Sequence, residues 1–384
     1  MSARPTASIE VVPVRDRRGL DAFIDVPRAI YRDDPAWVAP LRIERRQAYS
    51  PSHPFFQHAR WQAWVAWRDG QPVGRISAQV DALHLERYRD RTGFFGCIEA
   101  PDDPVVFRVL FASAERWLRQ QGMSRVRGPF HLNVNQESGL LVDGFDTPPY
   151  VMMGHARRWY GPRIEALGYA PAQELLAYDL PLPFTPAGAL EKLCDRLKTK
   201  IRLRPFNPRR RAAELETLRE IFNDAWSENW SFVPYTQAEF RAMGRELLLL
   251  IPPEFIQIAE ADGAPAAFML VVPNVNEAIA DLDGRLLPFG WAKLLWRLKL
   301  RHTRSVRTAL MGVRRRYQRS LMRPALAYAA IRACQEAALA YGANRSELSW
   351  ILADNHGMRG IIERIGGTVS KRYRMYDKNL SDET

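Results

Sequence analysis

The chain has 384 residues, enough for two ordinary domains that each bury a core, and its 47% hydrophobic and 26% charged content is that of a globular protein, not a disordered or fibrous one. The formal net charge of +12 is uneven: between Arg285 and Arg319 there are eleven Lys or Arg and no Asp or Glu. Such a concentrated field points to a polyanionic partner, whether nucleic acid, anionic lipid or a phosphorylated cofactor.

The opening, Met1 to Val12, is polar and lacks the apolar stretch of a signal peptide. No run approaches the roughly 18 apolar residues of a membrane span, and the longest, Leu247–Ile251 and Ala266–Val272, read as buried helix and strand. Cys97, Cys194 and Cys334 lie far apart and form no CxxC, which predicts a reducing, cytoplasmic setting. The histidines show no metal spacing. His53 and His58 are unrelated polar residues of a Pro-rich loop, and no metal is expected.

In chain order, a strand is predicted at Ile9–Val14, then a loop with Trp37 and Pro40. Asp69-Gly70 between alternating apolar runs predicts a hairpin. A helix runs from Pro104 to Gly122, proline first and glycine last, with Phe107, Leu110, Phe111, Ala114, Trp117 and Leu118 as its apolar stripe. The segment 133–145 is an insertion rich in Asn, Gly and acids, including Glu137, and is read as an ordered functional loop. A short helix and a closing strand follow, through Leu167-Gly168 and Tyr178-Asp179.

The second half repeats these signals in the same order. Ile201–Phe206 echoes the first strand, Trp230 and Pro234 the loop, Asp262-Gly263 the hairpin, and Pro324 to Gly342 the long helix. Ile365-Gly366 and Tyr376-Asp377 echo the closing elements. Five echoes in one order predict a duplicated domain, divided as 1–182 and 183–384. Each half reads strand, one or two helices, hairpin, strand, helix, strand, helix, strand. That is an α+β fold, with a mixed, mostly antiparallel sheet flanked by helices and closed by the half's own last strand.

This element order resembles the GNAT superfamily of acyl-CoA-dependent N-acyltransferases, written twice in tandem. In the second copy, residues 310–322 are similar to the family's strand, pyrophosphate loop and helix start. The resemblance implies acyl-CoA as co-substrate, with no permanently bound cofactor. It assigns CoA contacts to Met311, Gly312, Val313, Arg314, Gln318, Arg319, Ser320, Leu321, Met322 and Arg323, and to Asn355 after the fifth strand. Loop amides feeding a helix N-terminus hold a pyrophosphate through unsatisfied N–H groups and the helix dipole. The sequence departs from the family in two places. The loop lacks the usual glycines, and the tyrosine that protonates the thiolate in many members falls near Ile362. In the first copy the matching segment, 97–103, is acidic and repels CoA.

Acyl transfer to an amine also needs a proton acceptor and a polarised carbonyl. Glu347 on the predicted fifth strand and Glu137 in the first-copy loop are the candidate bases, and a bulged strand N–H near Met311–Val313 the oxyanion donor. Residues 223–235 border the family's acceptor region, so Asn223, Trp226, Asn229, Trp230 and Tyr235 are assigned to an amphipathic acceptor.

The second copy carries an insert of its own between hairpin and long helix, about 284–304. Trp291, Leu294, Leu295 and Leu298 fall at i, i+3, i+4 and i+7, while Lys293, Arg297 and Arg301 recur every four residues. The pattern predicts a helix lying in an anionic membrane interface, peripheral on the inner face. As a whole the chain resembles a bacterial GNAT-like group that includes ceramide synthases, implying N-acylation of a sphingoid-base-like amine by a long-chain acyl-CoA. The alternatives are a non-catalytic lipid-binding scaffold and an aminoacyl-tRNA-dependent transferase. Binding of nucleic acid is disfavoured, since no groove-reading motif accompanies the charge.

Overall fold

The computed structural model describes residues 8–185 and 188–380, so the first seven residues of the polar opening lie outside the described ones, as does the side chain of Cys194. The strands are β1 (Ile9–Pro13), β2 (Ala59–Arg68), β3 (Gln71–Asp81), β4 (Thr92–Glu99), β5 (Arg125–Gly128), β6 (Leu140–Asp143), β7 (Ala170–Pro181), β8 (Ile201–Pro205), β9 (Ile256–Ala261), β10 (Ala264–Pro273), β11 (Ser305–Val313), β12 (Arg345–Leu352) and β13 (Thr368–Asn379). The helices are α1 (Arg17–Ile30), α2 (Arg42–Ala48), α3 (Ala82–Tyr88), α4 (Pro104–Gln120), α5 (Tyr160–Glu165), α6 (Gly188–Leu197), α7 (Arg211–Trp226), α8 (Gln237–Leu250), α9 (Val275–Ile279), α10 (Gly290–Trp296), α11 (Met322–Tyr341) and α12 (His356–Arg364).

Local chemistry fixes most boundaries. Asp69-Gly70 and Asp262-Gly263 take positive φ at both residues, the conformation a two-residue hairpin needs, and join β2 to β3 and β9 to β10. In α4 the Asp103 side chain caps Val105 N–H and Pro104 occupies the first turn. The predicted stripe is buried except at Trp117, which is half-buried with its ring edge-on to Trp64. Gly342, at φ +97°, closes α11.

The chain forms two compact units. One takes the chain up to Glu174, Leu282–Arg285 and the chain from Lys371 onward; the other takes Leu175–Asp281 and Leu286–Ser370. In the first, the sheet order is β1-β2-β3-β4-β5 and then the C-terminal strand β13, which also carries β6. In the second it is β8-β9-β10-β11-β12 and then β7. In each unit one pairing is parallel, β4 with β5 and β11 with β12, and the others between these strands are antiparallel.

The expectation that each half closes on its own last strand is therefore corrected. Residues Leu175–Pro181 complete the second unit, and the stretch from Lys371 to Asn379 completes the first. An alternating strand pattern fits any edge with the same spacing and does not name its neighbour. The repeated Tyr-Asp pair anchors the exchange. Asp377 takes Arg125 and Arg127 in the first unit, and Asp179 takes Arg345 in a two-pronged contact at 3.0 and 2.6 Å in the second. Leu380 N–H donates to Ser124 at 2.8 Å, as Leu182 N–H donates to Asn344 at 2.8 Å.

Cys97 and Cys334 are buried free thiols. Among the described residues no cluster of His, Cys, Asp or Glu is arranged to hold a metal, and no helix is long and apolar enough to cross a membrane. Ending the chain after Ser370 should strip β5 of its outer partner. Hydrogen exchange at residues 125–128 is expected to rise by orders of magnitude while 256–272 stay protected; unchanged protection at 125–128 would refute the exchange.

Candidate functional site

The second unit has a fork between its parallel strands. β11 and β12 pair from Ser305↔Arg345 to Thr308↔Leu348 and no further, although β11 continues to Val313 along β10 and β12 to Leu352 along β7. Both strands carry an irregularity where they part. On β11, Ala309 is an extra residue opposite Leu270 and Val271. On β12, Ser349 and Trp350 oppose Ala177 alone. A bulge bends and re-aims its strand. The irregular position is thus Ala309, upstream of the expected Met311–Val313, which lie in regular register with β10.

A buried polar group sits at the fork. Arg307 Nε donates to Ser349 Oγ at 2.8 Å and its Nη2 to Ser349 O at 3.1 Å, while Ser349 Oγ donates to Glu347 Oε1 at 2.6 Å. Arg307 and Glu347 lie 3.9 Å apart as a buried ion pair. Glu347, the expected base, is engaged by the arginine and the serine, which suits it to orienting them. Ser349 and Arg307 were missed in sequence reasoning, since neither belongs to a motif.

The loop after β11 is less open than expected. Its 3-10 turn, Arg315–Tyr317, uses up amides: Arg314 N–H donates to Ala266 O, Arg315 N–H to Asp224, Gln318 N–H to Arg315 O and Ser320 N–H to Tyr317 O. Met322 and Arg323 N–H groups fold back on Ser320. Among the described residues, the amides of Arg316, Arg319 and Leu321 have no partner. The expected cradle over 313–323 narrows accordingly. Without glycine the loop follows ordinary right-handed turns, and these satisfy themselves.

The arginines divide as well. Arg314 pairs with Glu220 and Arg315 with Glu228, both acids contributed by α7 and the turn after it. Arg319 and Arg323 are exposed and have no ion-pair partner among the described residues. Tyr317 is buried, its hydroxyl donating to Asp262 at 3.0 Å, which ties the loop to the β9–β10 hairpin. Gln318 reaches Ala225 O at 3.5 Å. Val313 packs with Tyr317 and Leu326. At Gly312 a Cβ would stand 3.2 Å from Ala225 Cβ and 3.3 Å from the Phe268 ring, so this glycine lets α7 lie close on β11. Trp226 Nε1 donates to Met311 O at 2.8 Å. Exposed Asn355 caps α12 by accepting from Met358 N–H.

Of the expected acceptor residues, Asn223 and Tyr235 brace one another. The Asn223 amide brackets the Tyr235 backbone, donating to its carbonyl and accepting from its N–H at 3.0 Å each, and the Tyr235 ring is buried beside Phe222 and Phe240. Trp226, Asn229 and Trp230 remain half-buried. Ile362, where the family's tyrosine would fall, is buried against Tyr178, which the strand exchange brings into this unit. The Tyr178 hydroxyl donates to Glu363 and accepts from Arg359.

In the first unit the matching fork is plugged by the chain. Pairing of β4 with β5 ends at Phe94↔Arg127, after which Phe130 N–H donates to Phe95 O at 2.8 Å and a Cβ on Gly96 would meet Phe130 O at 1.9 Å. Glu137 in the following loop is clamped between Arg45 and His131 Nδ1, the latter at 2.9 Å. Burial alone would raise its carboxyl, yet the Arg45 guanidinium and the His131 ring hold it well below the usual carboxylate range. Glu137, one of the expected bases, is thus engaged by Arg45 and His131.

The insert is helical, and of its expected apolar stripe Trp291 and Leu295 are exposed while Leu294 and Leu298 are buried. Leu294 and Leu298, 8% and 2% exposed, pack on their own unit. Leu287, Phe289, Trp291, Leu295, Trp296 and Leu300 are the exposed apolar residues. Lys293 and Arg297 are drawn to Asp281, each at 2.5 Å, and hydrogen bonds from Arg297 and Lys293 hold that carboxyl well below its ordinary value. Lys299 and Arg301 are left for solvent.

No family model matches the sequence. The chain is 51% identical over 368 residues to Protein YghO of Escherichia coli (strain K12), covering 95% of this chain and 94% of that protein. It is 45% identical over 381 residues to bacterial ceramide synthase of Caulobacter vibrioides, covering 97% and 98%. The structure aligns, with a TM-score of 0.57 and 13% identity, to a tandem GNAT protein from the clavulanic acid biosynthesis pathway, covering 98% of this chain and all of that one.

Glu137→Gln should cost about 2 kcal/mol of stability at pH 7 by removing the carboxylate that pairs with Arg45 and bonds His131. Because the folded-state carboxyl titrates below its unfolded value, the stabilisation is present above the ordinary 4.5 and fades as pH falls below it. Urea melts of both proteins at several pH values should converge in acid; a gap that persists there would contradict the ion-pair account.

Proposed function

The chain belongs to the family that contains Protein YghO and bacterial ceramide synthase, with the tandem GNAT fold, and on that footing we propose that it is an N-acyltransferase using a long-chain acyl-CoA to acylate a sphingoid-base-like amine. The observation that carries this reading is the opening between β11 and β12 in the second unit, directly before a loop and the start of α11. A thioester laid in such an opening has its pyrophosphate near the free amides of Arg316, Arg319 and Leu321 and the unpaired cations Arg319 and Arg323. The half-buried Trp226, Asn229 and Trp230 are the acceptor residues this reading retains.

The amine, once it has lost its ammonium proton to water, attacks the thioester carbon. A backbone N–H at the Ala309 bulge is the proposed donor to the tetrahedral oxyanion. Collapse breaks the carbon–sulfur bond, and the Ser349 hydroxyl turns its proton from Glu347 to the thiolate. That hydroxyl is held by Arg307 and Glu347 and recovers its proton from the amine nitrogen through solvent. The exposed apolar insert, with Lys299 and Arg301, supports peripheral association with an anionic membrane, where a lipid amine would be met.

Given a long-chain acyl-CoA and a sphingoid amine, the purified protein should release free CoA. Arg319→Ala with Arg323→Ala should raise the KM for acyl-CoA roughly tenfold with little change in kcat. Ser349→Ala should lower kcat roughly 100-fold. Calorimetry showing no acyl-CoA binding at sub-millimolar concentration would end the acyl-transfer reading, and vesicle binding without CoA release would favour a lipid-binding scaffold.

A further inference from the structure

The second unit has a groove of about 670 Å³, within the roughly 300–1,000 Å³ of small-molecule sites. It lies at the C-terminal end of α11, where Ala337, Ala340 and Tyr341 contribute, whereas the loop meets the first turn at Met322. At 1.5 Å per residue, the rise of α11 from Met322 to Ala337 and Tyr341 sets the two places about 22–28 Å apart. The groove thus stands apart from the loop proposed to take the pyrophosphate.

Its lining is apolar, with Phe206, Leu248, Leu250 and Leu298 among the contributors. Arg211, Lys299 and His302 also line it, against the single acid Glu254. Neither Arg211 nor Lys299 has an ion-pair partner among the described residues. The groove is a built feature: Tyr341 Oη donates to Leu298 O at 3.1 Å, and the His302 ring stacks on Tyr341 at 4.0 Å while bonding its carbonyl through Nδ1 at 2.7 Å. These contacts fasten the end of the insert to the end of α11.

The groove continues into exposed apolar surface. Leu249, 72% exposed, stands between the lining residues Leu248 and Leu250, and Leu300, 74% exposed, follows the lining residues Leu298 and Lys299. An apolar trough with a mostly cationic margin, opening among exposed leucines, has the chemistry of an anionic amphiphile with a long hydrocarbon tail. Tail and headgroup must be offered together at a surface, because the exposed side chains lie outside the groove.

We propose that this groove takes an acyl tail of an anionic phospholipid from the bilayer on which the insert lies, a lipid site separate from the acyl-transfer fork. It does not depend on the protein being an acyltransferase. Arg211 and Lys299 take the phosphate, and the leucines beside the groove enter the interface.

The test uses the full chain with vesicles of phosphatidylglycerol and phosphatidylcholine and, separately, short-chain phosphatidylglycerol below its micelle concentration. Wild type should bind both forms of phosphatidylglycerol and bind phosphatidylcholine at least tenfold more weakly. Ala340→Trp, which fills the groove from an exposed helix position, should weaken the soluble lipid tenfold or more. Trp291→Glu with Trp296→Glu should abolish vesicle binding yet leave the soluble lipid bound. Unaltered binding of the soluble lipid by Ala340→Trp would overturn the proposal, as would equal affinity for the two headgroups. A rise in the KM for acyl-CoA matching the loss of lipid in Ala340→Trp would instead give the groove to the donor's own chain. Circular dichroism of each variant excludes unfolding as the cause.

Discussion

Everything in this protein hangs on the backbone pairing of two short strands, β5 and β12. Each lies beside a parallel neighbour for only three or four residues and needs a second partner along its other edge. β13 pairs with β5 and β7 with β12, so each compact unit is finished by residues from the other half of the sequence. Unpaired amides in the middle of a sheet would be costly, and this pairing removes that cost. The Asp179 and Asp377 clamps then hold the register by charge.

The same architecture treats its two forks in opposite ways. In the first unit Phe130 lies across Gly96 and closes the gap with main chain, and the loop beyond holds the half-buried group of Arg45, His131 and Glu137. In the second unit β12 passes through a short turn directly into α12, and the parted strands carry bulges and a buried Arg307–Ser349–Glu347 group. The divergence is one of chain path, not only of side chains.

Much of the fold was legible because it rests on local rules. The two Asp-Gly turns, the proline-led and glycine-closed helices and the apolar stripe of α4 follow from conformational preferences within a few residues. What escaped depends on partners far along the chain. Strand alternation could not reveal the exchange. The count of basic residues from Arg285 onward could not register Asp281, which lies just outside that run yet holds Lys293 and Arg297. The apolar stripe of the insert divides, with Leu294 and Leu298 buried and Trp291 and Leu295 exposed. Periodicity alone does not say which residues of an apolar stripe pack inward. The loop arginines were visible as charge, while their division between Glu220, Glu228 and solvent was a matter of where α7 lies.

The crossed closing strands also bear on heredity. A gene broken near its midpoint would encode two products that each carry the finishing piece of the other, so neither fragment is a self-sufficient unit for recombination or fusion. Once duplicated in this way, the two copies are committed to travel together, and a drifting residue in one β-strand must be matched in a sheet encoded some two hundred codons away.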